Sequence, residues 1–244
     1  MENKVTWISH RGLGNVENTR VAFDRAVENG FKFLETDLRT TSDGHLVLCH
    51  DISFERLGGP LTAVWEMTRA EIQKISLGDS GSGCVPMFFD EFIECYAGLS
   101  WTLDIKPEHG MTTLAALTKW AQLHHATQWL QTQARFLFWD KQQQQIFQNT
   151  FPSAQCYGRK IQCWSAAFRS KTRSLFLGGL QEGCFYSAPV YMQHWLILDK
   201  GFVDRIHSYG GKVLAFLPEG DAETQLALAA GVDEILTNGE IIEG

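Results

Sequence analysis

The chain has 244 residues, 44% of them hydrophobic and 20% charged, which is typical of a globular protein with one large core. A net charge of −7 argues against nucleic acid as a partner, since broad nucleic-acid binding needs a basic face. This negative net charge still allows a small anionic substrate, because a metal and nearby cations can make the electrostatic potential positive at the binding site. Because no apolar run approaches the roughly 18–20 residues of a membrane span, we expect no stable membrane insertion.

The N-terminus and the cysteines together indicate a cellular compartment. The first residues lack a basic region followed by an apolar stretch of signal length, so we expect a cytoplasmic protein. Six scattered cysteines without a CxxC pair are typical of buried reduced thiols rather than disulfides or a zinc site. These are Cys49, Cys84, Cys95, Cys156, Cys163 and Cys184.

Strand-like and helix-like segments alternate through the first half of the chain. They are a strand over 5–9, a helix capped by Asn18 or Thr19 and closed by Gly30, a strand over 31–38, a turn over 42–44, a short strand over 46–49, a strand over 99–105 and a helix over 112–125.

The second half continues the same alternation. Strand candidates cover 135–138, 154–157, 184–187, 213–216 and 234–236, and helix candidates cover 142–148, 193–208 and 222–230, the last stopped by Gly231. Alternating strands and helices predict a parallel sheet with crossover helices. About eight such units in this length favour an α/β fold with a single closed (β/α)8 barrel of the TIM type.

One stretch interrupts this rhythm. Residues 52–89, approximately, are rich in glycine and contain one short helix candidate over 69–75. We interpret the stretch as a small insertion after the second strand, on the side of the barrel where loops wall the active site. The sequence shows neither a linker nor an internal repeat, so we expect a single domain over residues 1–244.

Ionisable side chains cluster near the ends of strand-like segments. Glu35 and Asp37 lie two residues apart on one strand, so they project to the same side, and Asp104 lies on the next long strand. Strand ends of a parallel barrel meet at one rim, where such barrels keep their sites. Three carboxylates without a cysteine predict an oxygen site for one divalent cation, Mg²⁺ or Ca²⁺.

Histidines and cations accompany these acids. His10 and His50 each follow a strand, which suits a general acid and a general base, although a lone histidine there is more often a structural hydrogen-bonding group. Arg11 offers a two-pronged fork to a phosphate and Lys106 a point charge. The alternative is that each cation pairs with a neighbouring carboxylate.

The motifs resemble those of the glycerophosphodiester phosphodiesterase family. Its HRG…ENT pattern matches His10-Arg11-Gly12 with Glu17-Asn18-Thr19, and its later (E/D)IK strand matches Asp104-Ile105-Lys106. The resemblance spans nearly the whole chain and is most specific before residue 107. Two further blocks also match: Glu35, Asp37, Thr41, Asp43, Gly44, Val47, His50 and Asp51, and the closing run from Gly231 to Thr237.

The resemblance implies a TIM barrel that cleaves glycerophosphodiesters to sn-glycerol 3-phosphate and an alcohol such as choline or ethanolamine. A divalent ion would be held by Glu35, Asp37 and Asp104, with His10 and His50 as acid and base. A route in which the glycerol 2-hydroxyl attacks phosphorus first would give a cyclic phosphate that water then opens.

Several positions depart from the family pattern, and the later ones bear on substrate preference more than on the reaction. Val16 replaces a proline, and Asp104 stands where glutamate is commoner, so its carboxylate reaches about one methylene less. The later departures are Phe138-Trp139-Asp140 for Ser-Phe-Asp, Phe216-Leu217-Pro218 for Trp-Thr-Val, and Asn238 for aspartate.

Two other functions compete with this interpretation. One is a phospholipase D-like lyase on the same barrel, acting on membrane lipids. Enzymes of that class are typically secreted and disulfide-bonded, which we do not expect of this chain. Trp65, Phe88 and Phe89 nevertheless leave open the alternative that the insertion is a lid that docks on lipid. The other is a binding protein that has lost catalysis, which the retention of both histidines and all three acids disfavours. Head group, physiological metal and oligomeric state stay open.

Overall fold

The structure, a computed structural model, describes residues 5–79, 83–159, 161–164 and 182–242. It has two compact units, which we name the site unit (His10–Gln155) and the C-terminal unit (the residues before His10 together with those from Cys156 onward). Strand β1 (Thr6–His10) belongs to the C-terminal unit as far as Ser9, and its last residue, His10, belongs to the site unit. A single domain over 1–244 stays a prediction.

The site unit repeats a strand–helix pattern. Its elements are α1 (Arg20–Glu28), β2 (Phe33–Thr40), β3 (Leu46–Leu48), α2 (Arg69–Ile72), α3 (Phe89–Tyr96), β4 (Ser100–Ile105), α4 (Gly110–Leu123), α5 (Thr127–Gln133), β5 (Ala134–Phe138) and α6 (Lys141–Thr150). Strand β4 pairs in parallel with β2 on one side and with β5 on the other. The predicted strands are therefore confirmed here, whereas α5 was not anticipated.

Helix α1 shows how the sequence sets these elements. Of the two predicted caps, Thr19 is the one used, since its side-chain oxygen accepts from the Ala22 amide. The helix buries Phe23 and Ala26, and Phe23 meets Phe92 of α3 edge to face at 5.0 Å. Gly30, at φ +89°, then allows the turn into β2.

An antiparallel hairpin leads into the predicted insertion, whose bounds of about 52–89 stay a prediction. Strand β3 pairs antiparallel with the end of β2, so a hairpin opens the excursion, and its turn contains Gly44. Helix α2 is shorter than the predicted 69–75. A small core of its own holds the segment, formed by Val47, Cys49, Phe54, Val64, Met67, Ile72, Leu77, Cys84 and Phe88. Residues 80–82, and with them Gly81, lie outside the described residues.

The C-terminal unit is also built on parallel strands. Its described elements include β6 (Gln155–Cys156, whose first residue closes the site unit), β7 (Phe185–Ala188), β8 (Tyr191–Met192), β9 (Trp195–Leu196), α7 (Lys200–His207), β10 (Lys212–Phe216), α8 (Gly220–Ala230) and β11 (Glu234–Thr237). Strand β11 pairs in parallel with β1 and β10, and β10 pairs with β7. The core between strands and helices includes Phe202, Val203, Val213 and Ile235.

The predicted helix over 193–208 was wrong in its first half. Tyr191–Met192 and Trp195–Leu196 form an antiparallel hairpin, and Gln193 at its turn has a positive φ of 57°. The helix begins only after Asp199, whose carboxylate accepts from the Phe202 amide. The Asp199 cap therefore sets the start of helix α7, which the pattern of apolar residues placed too early.

Two sequence expectations concern composition. All six cysteines are free, as predicted, but only Cys49, Cys84 and Cys163 are buried, and the predicted burial was wrong for the other three, which are partly exposed. Among the residues that the structure describes, no helix has both the length and the apolar character that crossing a bilayer requires.

We predict that Gly12→Ala destabilises the protein more than Gly44→Ala. Both glycines have φ near +85°, which costs an alanine about 1 kcal/mol. A Cβ at Gly12 would also lie 2.6 Å from the Ala22 backbone carbon, whereas one at Gly44 would meet nothing within 4 Å. Urea denaturation of the two variants measures the difference, and equal losses of stability would show that the close approach of Gly12 to α1 has no energetic weight.

Candidate active site

Parallel pairing between β2 and β4 brings the three predicted acids together. Asp37 lies directly opposite Asp104 in the register, and Glu35 lies two residues earlier on the same face of β2. One oxygen from each carboxylate falls within 4.8 Å of the others, and all three side chains are buried. The predicted acidic cluster is therefore present in the fold.

Lys106 binds two of these acids. Its ammonium nitrogen lies 2.7 Å from Asp37 Oδ1 and 2.5 Å from Asp104 Oδ2. Asp104 lies on β4 and Lys106 directly follows its last residue, and because the two are two residues apart they project to the same side, where the carboxylate and the ammonium meet. Only about 6% of the Lys106 side chain is exposed, so the bridge is shielded from solvent.

Arg11 occupies the other side of Asp37. Its backbone has a left-handed φ of 59°, and its amide donates to the Glu35 carbonyl at 3.0 Å. The guanidinium Nε lies 2.9 Å from Asp37 Oδ2, and Nη1 donates to Glu17 at 3.1 Å. Both Arg11 and Lys106 thus pair with carboxylates, the alternative that the sequence left open, and their role toward a phosphate stays a prediction.

Burial and neighbouring charges shift the pKa values of the three acids in different directions. Burial, reinforced by the charge of Asp37, raises the pKa of Glu35 well above its ordinary value. Burial alone would raise the pKa of Asp37 too, but Lys106 and Arg11 outweigh it and lower that pKa to about 2. Burial and the charge of Asp37 raise the pKa of Asp104, although Lys106 opposes the change.

His10 lies beside the first acid. Its Nε2 is 3.9 Å from Glu35 Oε2, and only 10% of its side chain is exposed. His10 is therefore largely shielded from solvent, because β1 ends beside the acidic cluster. His50, in contrast, is 36% exposed.

Two groups hold the His50 side chain in place. Its Nδ1 lies 2.7 Å from Asp51 Oδ1, while Arg56 Nε donates to Asp51 Oδ2 at 2.6 Å. These two hydrogen bonds lower the pKa of Asp51 despite its partial burial. Since an ionised carboxylate only accepts, His50 Nδ1 carries the proton and Nε2 is left to accept one.

Arg39 is a buried residue that the sequence analysis missed. Its Nε and Nη2 donate to the His50 carbonyl at 3.3 and 2.8 Å, and its guanidinium also pairs with Glu108 at 3.3 Å. Trp65 of the insertion lies alongside, with its ring centre 5.9 Å from the guanidinium carbon. Arg39 lies two residues after Asp37 on β2, the spacing that also places Glu35 and Asp37 on one strand face. This spacing is the sequence signal from which Arg39 could have been predicted.

Three more residues that belong to matched motifs or departures contact the site, although the sequence assigned them no role in it. Asn18, at φ 56°, donates to Asp37 at 2.9 Å and accepts from Thr36 at 2.8 Å. Glu17 joins Arg11 to Arg56, and the Trp139 indole N–H donates to Asp104 Oδ1 at 2.9 Å. Only tertiary contacts reveal these partners, because they come from separate loops.

The donor set fits a hard divalent cation. All three ligand groups are carboxylates, and Glu35 Oε2 is buried with no hydrogen-bond partner among the described residues. A cation there would supply the partner that the protein does not. Arg11 and Lys106 already neutralise part of the acidic charge, so the cluster suits one ion rather than two.

Comparison with known proteins identifies the family. The model of the glycerophosphoryl diester phosphodiesterase family matches residues 10–239. The chain belongs to this family. A glycerophosphodiester phosphodiesterase from Caldanaerobacter subterraneus subsp. tengcongensis is 43% identical over 77 residues, which cover 31% of this chain and 32% of that relative. The matched stretch thus spans about a third of the relative's length.

Solved structures agree on the fold. The glycerophosphoryl diester phosphodiesterase domain of an uncharacterised Mycobacterium tuberculosis protein matches with a TM-score of 0.80 over 97% of this chain and 96% of that one, at 15% identity. An Oleispira antarctica phosphodiesterase, solved with its product sn-glycerol-3-phosphate, matches at 0.73 over 95% and 92%, at 20% identity. These matches confirm the predicted α/β TIM-barrel fold class.

We predict opposite effects of Glu35→Gln and Asp37→Asn on the metal-free protein. Because the folded-state pKa of Glu35 is raised, stability falls as pH rises above its ordinary value of 4.5, and glutamine removes that loss. Asp37→Asn leaves Arg11 and Lys106 buried with less compensating charge and should cost about 3 kcal/mol or more.

Urea denaturation at neutral pH measures both changes, and repeating it with Mg²⁺ or Ca²⁺ tests the ligand role. We expect the ion to stabilise the wild-type protein and to stabilise Glu35→Gln much less, since a ligand charge is lost. A Glu35→Gln protein that is less stable without metal, or that gains as much from the ion as wild type, would contradict this account of the cluster.

Proposed function

We propose that this protein hydrolyses glycerophosphodiesters to sn-glycerol 3-phosphate and an alcohol. The observation that carries the proposal is the convergence of three buried carboxylates, two cations and His10 at one point of the site unit. Family membership supports it, as does the product named for the Oleispira antarctica relative.

Glu35, Asp37 and Asp104 would hold one divalent cation, Mg²⁺ or Ca²⁺. When bound, such an ion supplies positive charge that polarises a phosphoryl oxygen and stabilises the charge developing there. Asn18 keeps Asp37 oriented by donating to Oδ2, and Trp139 does the same for Asp104 by donating to Oδ1.

His10 and His50 are the proposed proton-transfer pair. Asp51 fixes the His50 tautomer, so its Nε2 can take a proton from an attacking hydroxyl or return one to a leaving alcohol. Arg39 holds the same residue by its backbone carbonyl, so both ends of His50 are anchored. In the proposed sequence the glycerol 2-hydroxyl loses its proton to one histidine and attacks phosphorus, and the P–O bond to the alcohol breaks as the other histidine protonates the leaving oxygen. Water then adds to the cyclic phosphate and breaks its P–O2 bond, which gives glycerol 3-phosphate.

Arg11 and Lys106 are the proposed phosphate-binding residues. Each already touches Asp37, so a phosphate bound at the cluster would find both cations within reach of its non-bridging oxygens. The positive charge would matter most where negative charge grows during bond cleavage. The proposed partner is therefore a small anionic diester rather than a macromolecule, and the six free thiols suit the proposed cytoplasmic location.

The metal requirement can be tested on the purified enzyme. EDTA is expected to abolish release of glycerol 3-phosphate from glycerophosphocholine, and added Mg²⁺ or Ca²⁺ to restore it, because the three acids supply only oxygen ligands. Full activity after exhaustive chelation would remove the cation from the mechanism.

His10→Ala and His50→Ala should each lower kcat by about 10²–10⁴, the range for loss of a general acid or base. His45→Ala is the matched control, since His45 is exposed at the turn between β2 and β3, where it faces Asp43 at 3.9 Å. The control should keep wild-type kcat. A His50→Ala enzyme within a few-fold of wild type would refute its proposed role, whatever the metal dependence.

A further inference from the structure

The main chain leaves the sheet just before His50. Strand β3 ends two residues earlier, and the Cys49 amide still donates to the Asp37 carbonyl of β2 at 3.1 Å. Side chains then hold the next two carbonyls. Arg39 donates to the His50 carbonyl, and the Cys49 thiol donates to the Asp51 carbonyl at 3.3 Å. The segment that carries the proposed proton-transfer histidine is therefore fastened through its backbone.

The Arg39 side chain reaches the His50 carbonyl with two of its nitrogens. Nε lies 3.3 Å and Nη2 2.8 Å from that oxygen, and only 4% of the side chain is exposed. A buried charged donor makes a strong hydrogen bond, and its removal leaves the carbonyl without that partner. The position of the His50 main chain therefore depends on where the guanidinium lies.

Two other segments hold the guanidinium in this place. Glu108, on the loop after β4, accepts from Nη1 at 3.4 Å and from Nη2 at 3.3 Å. The ring centre of Trp65, in the insertion, lies 5.9 Å from the guanidinium carbon, which is within the range of a cation–π contact. The same ring stacks on that of His109, with centres 4.3 Å apart and planes inclined by 22°. The insertion and the loop after β4 therefore meet at Arg39.

We propose that Arg39 and Trp65 are positioning residues, through which the insertion sets the place of His50. This inference rests on the proposed catalytic role of His50 and adds two residues outside the acidic cluster to it. Taking an arginine out of water is costly, and apolar side chains often replace buried ion pairs without loss of stability. The carbonyl that Arg39 holds gives this buried charge a function, since misplacing a catalytic group by about 1 Å can cost about a hundredfold in rate.

Steady-state kinetics on glycerophosphocholine with metal give the first test. Arg39→Gln should lower kcat about ten- to a hundredfold while KM changes less than about twofold, because a proton-transfer group is displaced rather than a binding group. Trp65→Leu keeps an apolar side chain but frees the guanidinium, so it should lower kcat in the same way and by less. Arg39→Lys should recover part of the loss, since an ammonium can donate to the carbonyl but lacks the planar fork.

The deciding measurement repeats these substitutions in a His50→Ala enzyme. Residues that act as one unit do not add, so Arg39→Gln and Trp65→Leu should each change the residual kcat by less than about twofold there. A role in folding or in substrate binding predicts the same fractional loss in both backgrounds, and that result would overturn the inference. Trp65→Leu leaves every charge in place, so it carries the test if Arg39→Gln does not fold.

Arg69 provides a matched control within the insertion. Its guanidinium carbon lies 4.4 Å from the centre of the Phe88 ring, and Nη1 pairs with Asp90 at 2.6 Å, so its partners are of the same kinds as those of Arg39. Arg69→Gln should keep wild-type kcat. A loss as large as that of Arg39→Gln would show that any loosening of the insertion slows the reaction, which would also overturn the inference.

A measurement without substrate separates this inference from the proposed function. In proton–nitrogen correlation spectra of the histidine rings, the His50 signal is identified by its absence from His50→Ala. Trp65→Leu and Arg39→Gln should shift or broaden that signal and Arg69→Gln should not, whereas an unchanged signal in the first two variants would contradict positioning. If wild type cleaves no glycerophosphodiester with metal present, the proposed function fails, and these spectra still decide whether Arg39 positions His50.

Discussion

The parallel register between β2 and β4 is the constraint on which the site depends. It sets Asp37 opposite Asp104, so two buried acids would repel each other unless a cation lay between them. Lys106 supplies that cation from the same strand face, and Arg11 adds a second from the loop after β1. The register of β2 and β4 therefore also sets the ion pairs. A shift of that register by one residue would disrupt both the strand pairing and the ion pairs.

A chain of ion pairs extends from this cluster to the second histidine. Arg11 contacts Glu17, Glu17 contacts Arg56, and Arg56 contacts Asp51, which holds the His50 ring. Arg56 is half exposed and Asp51 about a third exposed, so solvent screens their ion pair, and it contributes more to the orientation of His50 than to stability. The insertion contributes Arg56 to this chain of ion pairs. The small hydrophobic core of the insertion holds the segment on which Arg56 lies.

Strand and helix positions were largely readable from the sequence, with informative exceptions. The strand-like run over 31–38 located β2, and the cap signal at Asn18 or Thr19 located α1, because both signals are local. The helix predicted over 193–208 began too early, since the hairpin at Tyr191–Leu196 depends on cross-strand pairing that no helical pattern excludes. Helix α5 was missed because Gln and Thr give it little periodicity.

The sequence by itself determined the fold class and the candidate chemistry: Glu35 and Asp37 must share a strand face because side chains alternate, and the family motifs are short and local. Only the tertiary structure decided what each group touches. The approach of His10 to Glu35 and the hydrogen bonds from Arg39 to the His50 carbonyl join residues far apart in the chain. Such contacts depend on how loops pack, and the spacing of residues along one strand does not predict them.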